Sequence, residues 1–238
     1  MTFEEKQQWA EGKTMEDILK ERDMYQIGSD EWDEWNQVKA IVLEKMKPST
    51  RESIVYFHES DLEEIPEGLS EVSKLPLLLT YIGRRSELEY NPSQRHPIPY
   101  AIVKYKKYYF FVLRGQGVGE MRLAGKKGML GGHVDEVDYD ELSLSKTLLN
   151  GLRRELVEEA GITDELIQSI ELKGLLKSNN GVDEDHLGVI YLIELLSKDI
   201  VSKEEELTGI WLHEKELEEH IASFESWTKL IYEKWLKA

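Results

Sequence analysis

"RELVEEAGI" occupies residues 154–162, and its reading decides the fold. On a helix, Glu155, Glu158 and Glu159 share one face, because residues three and four apart stack above one another. Like charges so placed repel by about 0.2–0.5 kcal/mol per pair. The crowding falls at a helix C-terminus, where the macrodipole is also negative. Gly161 is a natural stop for that helix. The residues before it make the helix plain: "SLSKTLLNGLRRELVEEAG" (143–161) carries Leu144, Leu148, Leu149, Leu152 and Leu156 as one apolar stripe. The stripe must face a core, so the glutamates face solvent or a cleft.

A divalent cation reverses this unfavourable balance. Carboxylate oxygens are hard ligands that suit Mg²⁺ or Mn²⁺. Such an ion acidifies a bound water and offsets charge on phosphoryl oxygens, which points to metal-assisted hydrolysis of a phosphoanhydride. The competing reading is a solvated helix face partly neutralised by Arg153 and Arg154. The cluster alone does not separate the two.

Outward from the helix, strand patterns surround it. "ESIVYFHE" (52–59) reads as a strand. "IPYAIVKYKKYYFFVLRG" (98–115) reads as two strands around a turn near Lys106 and Lys107. "SIELKGLLKS" (169–178), "HLGVIYLIEL" (186–195) and "LTGIWLHE" (207–214) read as further strands, and "SFESWTKLIYEKWLKA" (223–238) as a closing amphipathic helix. Strands before and after a central helix predict an α/β fold with a mixed sheet flanked by helices. Residues 1–50 read as a helical extension. A first helix is expected over roughly 3–22. A second starts at Ser29 or Asp30, carries Trp35, Val38, Val42 and Met46 as its apolar stripe, and ends at Pro48. The extension shows no chemistry and is expected to pack on the main body or on a second subunit.

Bulk properties narrow the function. The 238 residues carry a net charge of −17 and no cysteine. An acidic surface disfavours DNA, long RNA and anionic membranes as partners. Disulfide, zinc-thiolate and thiol-nucleophile chemistry are excluded. The charged N-terminus lacks an apolar signal region, and no stretch suits a membrane span, so a cytoplasmic protein is expected.

The glutamate stretch resembles the C-terminal half of the Nudix signature: Arg154, Glu155, Leu156, Glu158, Glu159, Gly161 and Ile162 fill its specified positions. "GGH" (131–133) resembles the glycine pair that opens the signature. "LTGIWLHEKEL" followed by "SFESWTKLIYEKWL" resembles the usual Nudix ending. The segments "FHESDLEEIPEGL" and "NPSQRHPIPYAIVKY" resemble MutT-type proteins of a predicted-phosphoesterase branch, which carry "GGH" in place of "GGxxE". The resemblance implies a Nudix domain over residues 51–238, with its signature region at 131–162. It implies Glu155, Glu158, Glu159 and the Gly132 carbonyl as ligands of Mg²⁺ or Mn²⁺. It implies Arg154 as the residue that holds the glutamates by bidentate hydrogen bonds, which a lysine could not copy.

The sequence also departs from that pattern. Gly132 to Arg154 is twenty-two residues (154 − 132), against fourteen in the ordinary signature, so eight extra residues enlarge the loop "HVDEVDYDELSLS". The usual first glutamate falls at Lys146. Asp135, Glu136, Asp138, Asp140 and Glu141 in that loop are its candidate substitutes.

Other candidates are weighed residue by residue. Gly131 and Gly132 allow backbone to approach a ligand closely, or form a plain turn. Arg114 and Arg122 are placed to contact substrate phosphates, or to serve as surface ion pairs. His133 and His186 are candidates to orient substrate or move a proton, or are structural. Glu158, Asp183 and Glu184 are candidate general bases, with Glu158 first. Trp211, Trp227 and Trp235 read as core. The expectation is a pyrophosphohydrolase acting on a small nucleotide-type substrate, a nucleoside diphosphate linked to another group. The alternative is a Nudix-fold nucleotide sensor that does not cleave. A homodimer through the extension is a further expectation.

Overall fold

The computed structural model describes residues 1–114, 125–179, 184–200 and 207–237. Capping boxes at Thr2 and Thr14 start two short helices, α1 (Phe3–Ala10) and α2 (Met15–Arg22). The single helix expected over 3–22 is therefore two. Gly12, at φ +77°, turns the chain out of the first before Thr14 starts the second. Ser29 caps α3 (Asp30–Met46) by accepting the Trp32 N–H.

Trp35 and Val38 pack with Ala10 and Ile18 into a small core of the extension. The apolar stripe expected on α3 runs out before its end, since Met46 is exposed. Its inner face instead carries Lys39, fully buried, whose ammonium donates to the carbonyls of Ser86, Glu87 and Glu89 at 2.8, 3.0 and 2.7 Å. Those carbonyls belong to α4 (Arg85–Leu88) and the residue after it. The extension thus packs on the main body, one of the two arrangements expected for it.

The main sheet has the order β10-β5-β4-β9-β8-β2, made of β2 (Gly68–Glu71), β4 (Gln94–Tyr105), β5 (Tyr108–Arg114), β8 (Ile167–Lys177), β9 (His186–Leu195) and β10 (Leu207–His213). Only β4 and β9 run parallel; the other pairs of this path are antiparallel. Short strands extend the sheet: β1 (Ser53–His58), β3 (Tyr81–Arg84), β6 (Lys127–Gly128) and β7 (Leu130–Gly131). The expected turn between β4 and β5 is at Lys106 and Lys107, with Lys106 at φ +53°.

Successive residues of a strand point to opposite faces, and β4 shows both. Ala101 and Val103 join one core with Leu148, Leu152 and Leu156 of helix α5 (Leu144–Ala160). Tyr100 and Ile102 join a second core with Trp227 and Ile231 of α7 (Ser226–Ile231). The sheet is a filling between helices, and its central strands read as unbroken apolar runs for that reason. The expected closing helix begins later, at Ser226, and widens into a π turn over Tyr232–Leu236. Trp227 is buried, and Trp211 and Trp235 pack against the cores. Among the described residues, no helix is long and apolar enough to cross a membrane.

Candidate active site

The Ser143 hydroxyl starts α5 by accepting the Lys146 N–H. Gly161, at φ +62°, ends it: its N–H reaches the Val157 carbonyl and the Ile162 N–H reaches Leu156. Three leucines, Leu148, Leu152 and Leu156, are fully buried. Each contributes about 1.5–3 kcal/mol by leaving water. That face fixes the rotation of the helix and so the direction of its glutamates.

Arg154 gathers the acids. Its Nη1 donates to Glu155 Oε1 at 2.7 Å and to Glu158 Oε2 at 3.0 Å. Its Nη2 donates to the His133 carbonyl at 2.8 Å and to Asp138 Oδ2 at 2.9 Å. Nε adds a second bond to the same Asp138 oxygen at 3.2 Å, and Asp135 lies 3.3 Å from Nη2. The fork expected to grip the glutamates grips Asp138, and Glu155 and Glu158 receive a single bond each. Asp138 is buried and comes from the enlarged loop. A buried carboxylate needs a charged partner close by, and Arg154 is that partner.

The glycine pair lies against the glutamates. Gly131 N–H donates to Glu159 Oε2 at 3.0 Å. A side chain at Gly132 would sit 2.4 Å from the Glu155 carboxylate, and one at Gly131 would sit 2.3 Å from the Pro99 carbonyl. Close approach to backbone requires glycine at Gly131, whereas a side chain at Gly132 would have to displace the Glu155 carboxylate. Burial, opposed by Arg154, pushes the Glu155 carboxyl up to about 7. Glu158 is half exposed. Glu155 and Glu158, bonded to one guanidinium nitrogen beside the Gly132 backbone, form a hard-oxygen pair that fits a divalent cation. Glu159 is turned toward Gly131.

Three histidines meet beside the glycine turn. His96 on β4 and His186 on β9 are direct partners in the parallel register. His133 follows the glycines, and its Nε2 lies 3.3 Å from His96 Nδ1 and 3.4 Å from His186 Nε2. Burial holds His96 down to about 3 and His133 well below its usual range, so both rings are neutral. Asp185 Oδ1 is 2.8 Å from His186 Nδ1.

Of the sequence candidates, Gly131, Gly132, His133, Arg154, Glu155, Glu158 and Glu159 are brought together around one turn, with His186 reached through His133. The side chain of Arg114, and Arg122 and Asp183 altogether, lie outside the described residues. Glu184 is described, in the turn before β9. Lys146, at the usual first-glutamate position, pairs with Asp140. His96 and Asp185 were not expected at the site, and Asp138 was expected only as one of five acids that could replace the first signature glutamate. Only the acid-rich loop composition pointed toward Asp138. His96 and Asp185 are placed by the parallel pairing of distant strands. A cleft of about 500 Å³ lies elsewhere, between α5 and β8, and its lining includes Arg153 and Tyr191 but none of the glutamates.

Comparison with known proteins bears on the family and the fold. The NUDIX domain family matches residues 110–234. Protein YmaB of Bacillus subtilis (strain 168) is 30% identical over 154 residues, covering 62% of this chain and 74% of its own length. The crystal structure of Tm1382 superposes with a TM-score of 0.65 at 25% identity, over 78% of this chain and 98% of its own. A MutT protein from Bacillus halodurans superposes with a TM-score of 0.44 at 17% identity, over 60% of this chain and 83% of its own. With the signature helix, the glycine turn and the sandwiched sheet in place, the chain belongs to the Nudix family and is a pyrophosphohydrolase of that family.

Proposed function

We propose that the enzyme hydrolyses the phosphoanhydride of a small nucleotide-type substrate, a nucleoside diphosphate linked to another group, with Mg²⁺ or Mn²⁺. Glu155, Glu158 and Glu159, with the Gly132 carbonyl, are assigned as the groups that hold the cation. When bound, the cation supplies an acidified water and offsets phosphoryl charge. The observation that carries the reading is the pair of hydrogen bonds that Arg154 Nη1 donates to Glu155 and Glu158, which holds two like charges together beside the glycine turn.

The chain's own groups take separate roles. Arg154 is a positioning residue, anchored on buried Asp138. Gly131 and Gly132 let substrate phosphates approach the backbone. Glu158, half exposed, accepts the proton of the attacking water. Arg114 and Arg122 are assigned to substrate phosphates. Residues 51–238 form the catalytic domain, and residues 1–50 brace it.

The test is release of products from nucleoside di- and triphosphates, nucleotide sugars and dinucleoside polyphosphates, with Mg²⁺, Mn²⁺ or EDTA. Metal-dependent release lost in Glu158→Gln is expected. Nucleotide binding without turnover of any compound would overturn the catalytic reading in favour of a sensor.

A further inference from the structure

We propose that His96, His133 and His186 form a site for one divalent transition-metal ion of the zinc class, separate from the carboxylates of α5. The three rings converge with His133 Nε2 at the centre, 3.3 Å from His96 Nδ1 and 3.4 Å from His186 Nε2. All three ligand atoms lie within 4.8 Å of one another. Nitrogens at about 2.0–2.1 Å from a tetrahedral zinc ion stand roughly 3.3–3.4 Å apart. The two contacts have that spacing.

Hydrogen bonding among the rings does not account for the cluster. Asp185 Oδ1 lies 2.8 Å from His186 Nδ1, and a neutral His186 with its proton on that nitrogen presents a lone pair at Nε2. If His133 Nε2 carries a proton, it can point squarely at only one of its two neighbours. If it does not, its lone pair faces the lone pair of His186. One proton satisfies one contact; one cation satisfies all three nitrogens. His96 is fully buried, so its Nδ1 is held toward His133 by the packing around it.

The surroundings suit a metal centre. Metal-bound histidines commonly donate their other ring N–H to a carboxylate, which fixes ring orientation. Asp185 Oδ1 lies 2.8 Å from His186 Nδ1, within reach for that role, and Asp185 Oδ2 accepts the Tyr90 N–H at 2.9 Å. The Asp185 carbonyl accepts the His96 N–H at 2.8 Å, so one residue braces two of the three ligands. Imidazole nitrogens select zinc, cobalt, nickel or copper over magnesium. Three protein ligands leave a fourth position for water or a substrate oxygen. Thus the site goes beyond the carboxylate-bound cation proposed above and stands without it.

The test uses the full chain, stripped of metal and titrated with Co²⁺ in excess Mg²⁺. One equivalent is expected to give the visible absorption of a tetrahedral site. His133→Asn and His186→Gln abolish it, Asp185→Asn weakens binding by about 10–100-fold, and Glu158→Gln leaves it intact. Absence of the band in the unaltered protein, or its loss in Glu158→Gln with retention in the histidine variants, overturns the proposal. Ring-nitrogen NMR of the unaltered chain needs no folded variant. One equivalent of Zn²⁺ should move the signals of three of the six histidines. Movement of none, or of His58, His213 and His220 instead, contradicts the site.

Discussion

Glu155 sits where burial and Arg154 pull in opposite directions, and burial prevails. The unfolded chain titrates this carboxyl near 4.5 and the folded protein near 7. The folded state therefore holds the proton more tightly between those values. Its contribution to stability is present below pH 4.5 and is lost as pH rises through 7. In EDTA, thermal melts from pH 4.5 to 7.5 should show this loss, up to about 3 kcal/mol, and Glu155→Gln should remove the slope. Gly132→Ala places a methyl against the same carboxylate. Its expected cost is about 1–3 kcal/mol of stability, with turnover falling more steeply than the melting point. Arg154→Lys keeps a charge but cannot bond Glu155, Glu158, Asp138 and the His133 carbonyl at once, so kcat should drop at least tenfold while circular dichroism is unchanged. The glutamates, Arg154 and the glycines were legible in sequence because they are local to one motif. Asp138 was legible only as one of five loop acids, since nothing local says which acid becomes buried.

At the scale of elements, α5 was readable because its leucines repeat at helical spacing and both ends carry caps. Leu152→Ala tests its packing. The side chain is fully buried between helix and sheet, and a loss of about 2–5 kcal/mol is expected in denaturant unfolding. The β4–β5 hairpin was readable from two apolar runs around Lys106 and Lys107. β2 and β3 were not, because four-residue strands carry too little pattern and exist by pairing with β8 and β1. The helix expected over 3–22 is divided because Gly12 takes φ +77°, a conformation that a right-handed helix does not pass through.

The whole molecule depends on pairings that no local pattern encodes. The parallel contact of β4 with β9 sets His96 beside His186 across ninety residues (186 − 96). The extension is tied to the body through Lys39, whose three carbonyl partners lie about fifty residues away. Lys39→Met leaves those carbonyls unmet and should cost about 2 kcal/mol or more, read as a lower melting point with kcat unchanged below it. Hydrolysis itself is the central claim. The most direct measurement is kcat on the best substrate of the panel, at saturating Mn²⁺ and in EDTA, for the unaltered enzyme and Glu158→Gln. The account predicts turnover only with metal, and a loss of about 10²–10⁴-fold in the variant. Turnover that persists in EDTA, or in Glu158→Gln at full metal, would contradict it.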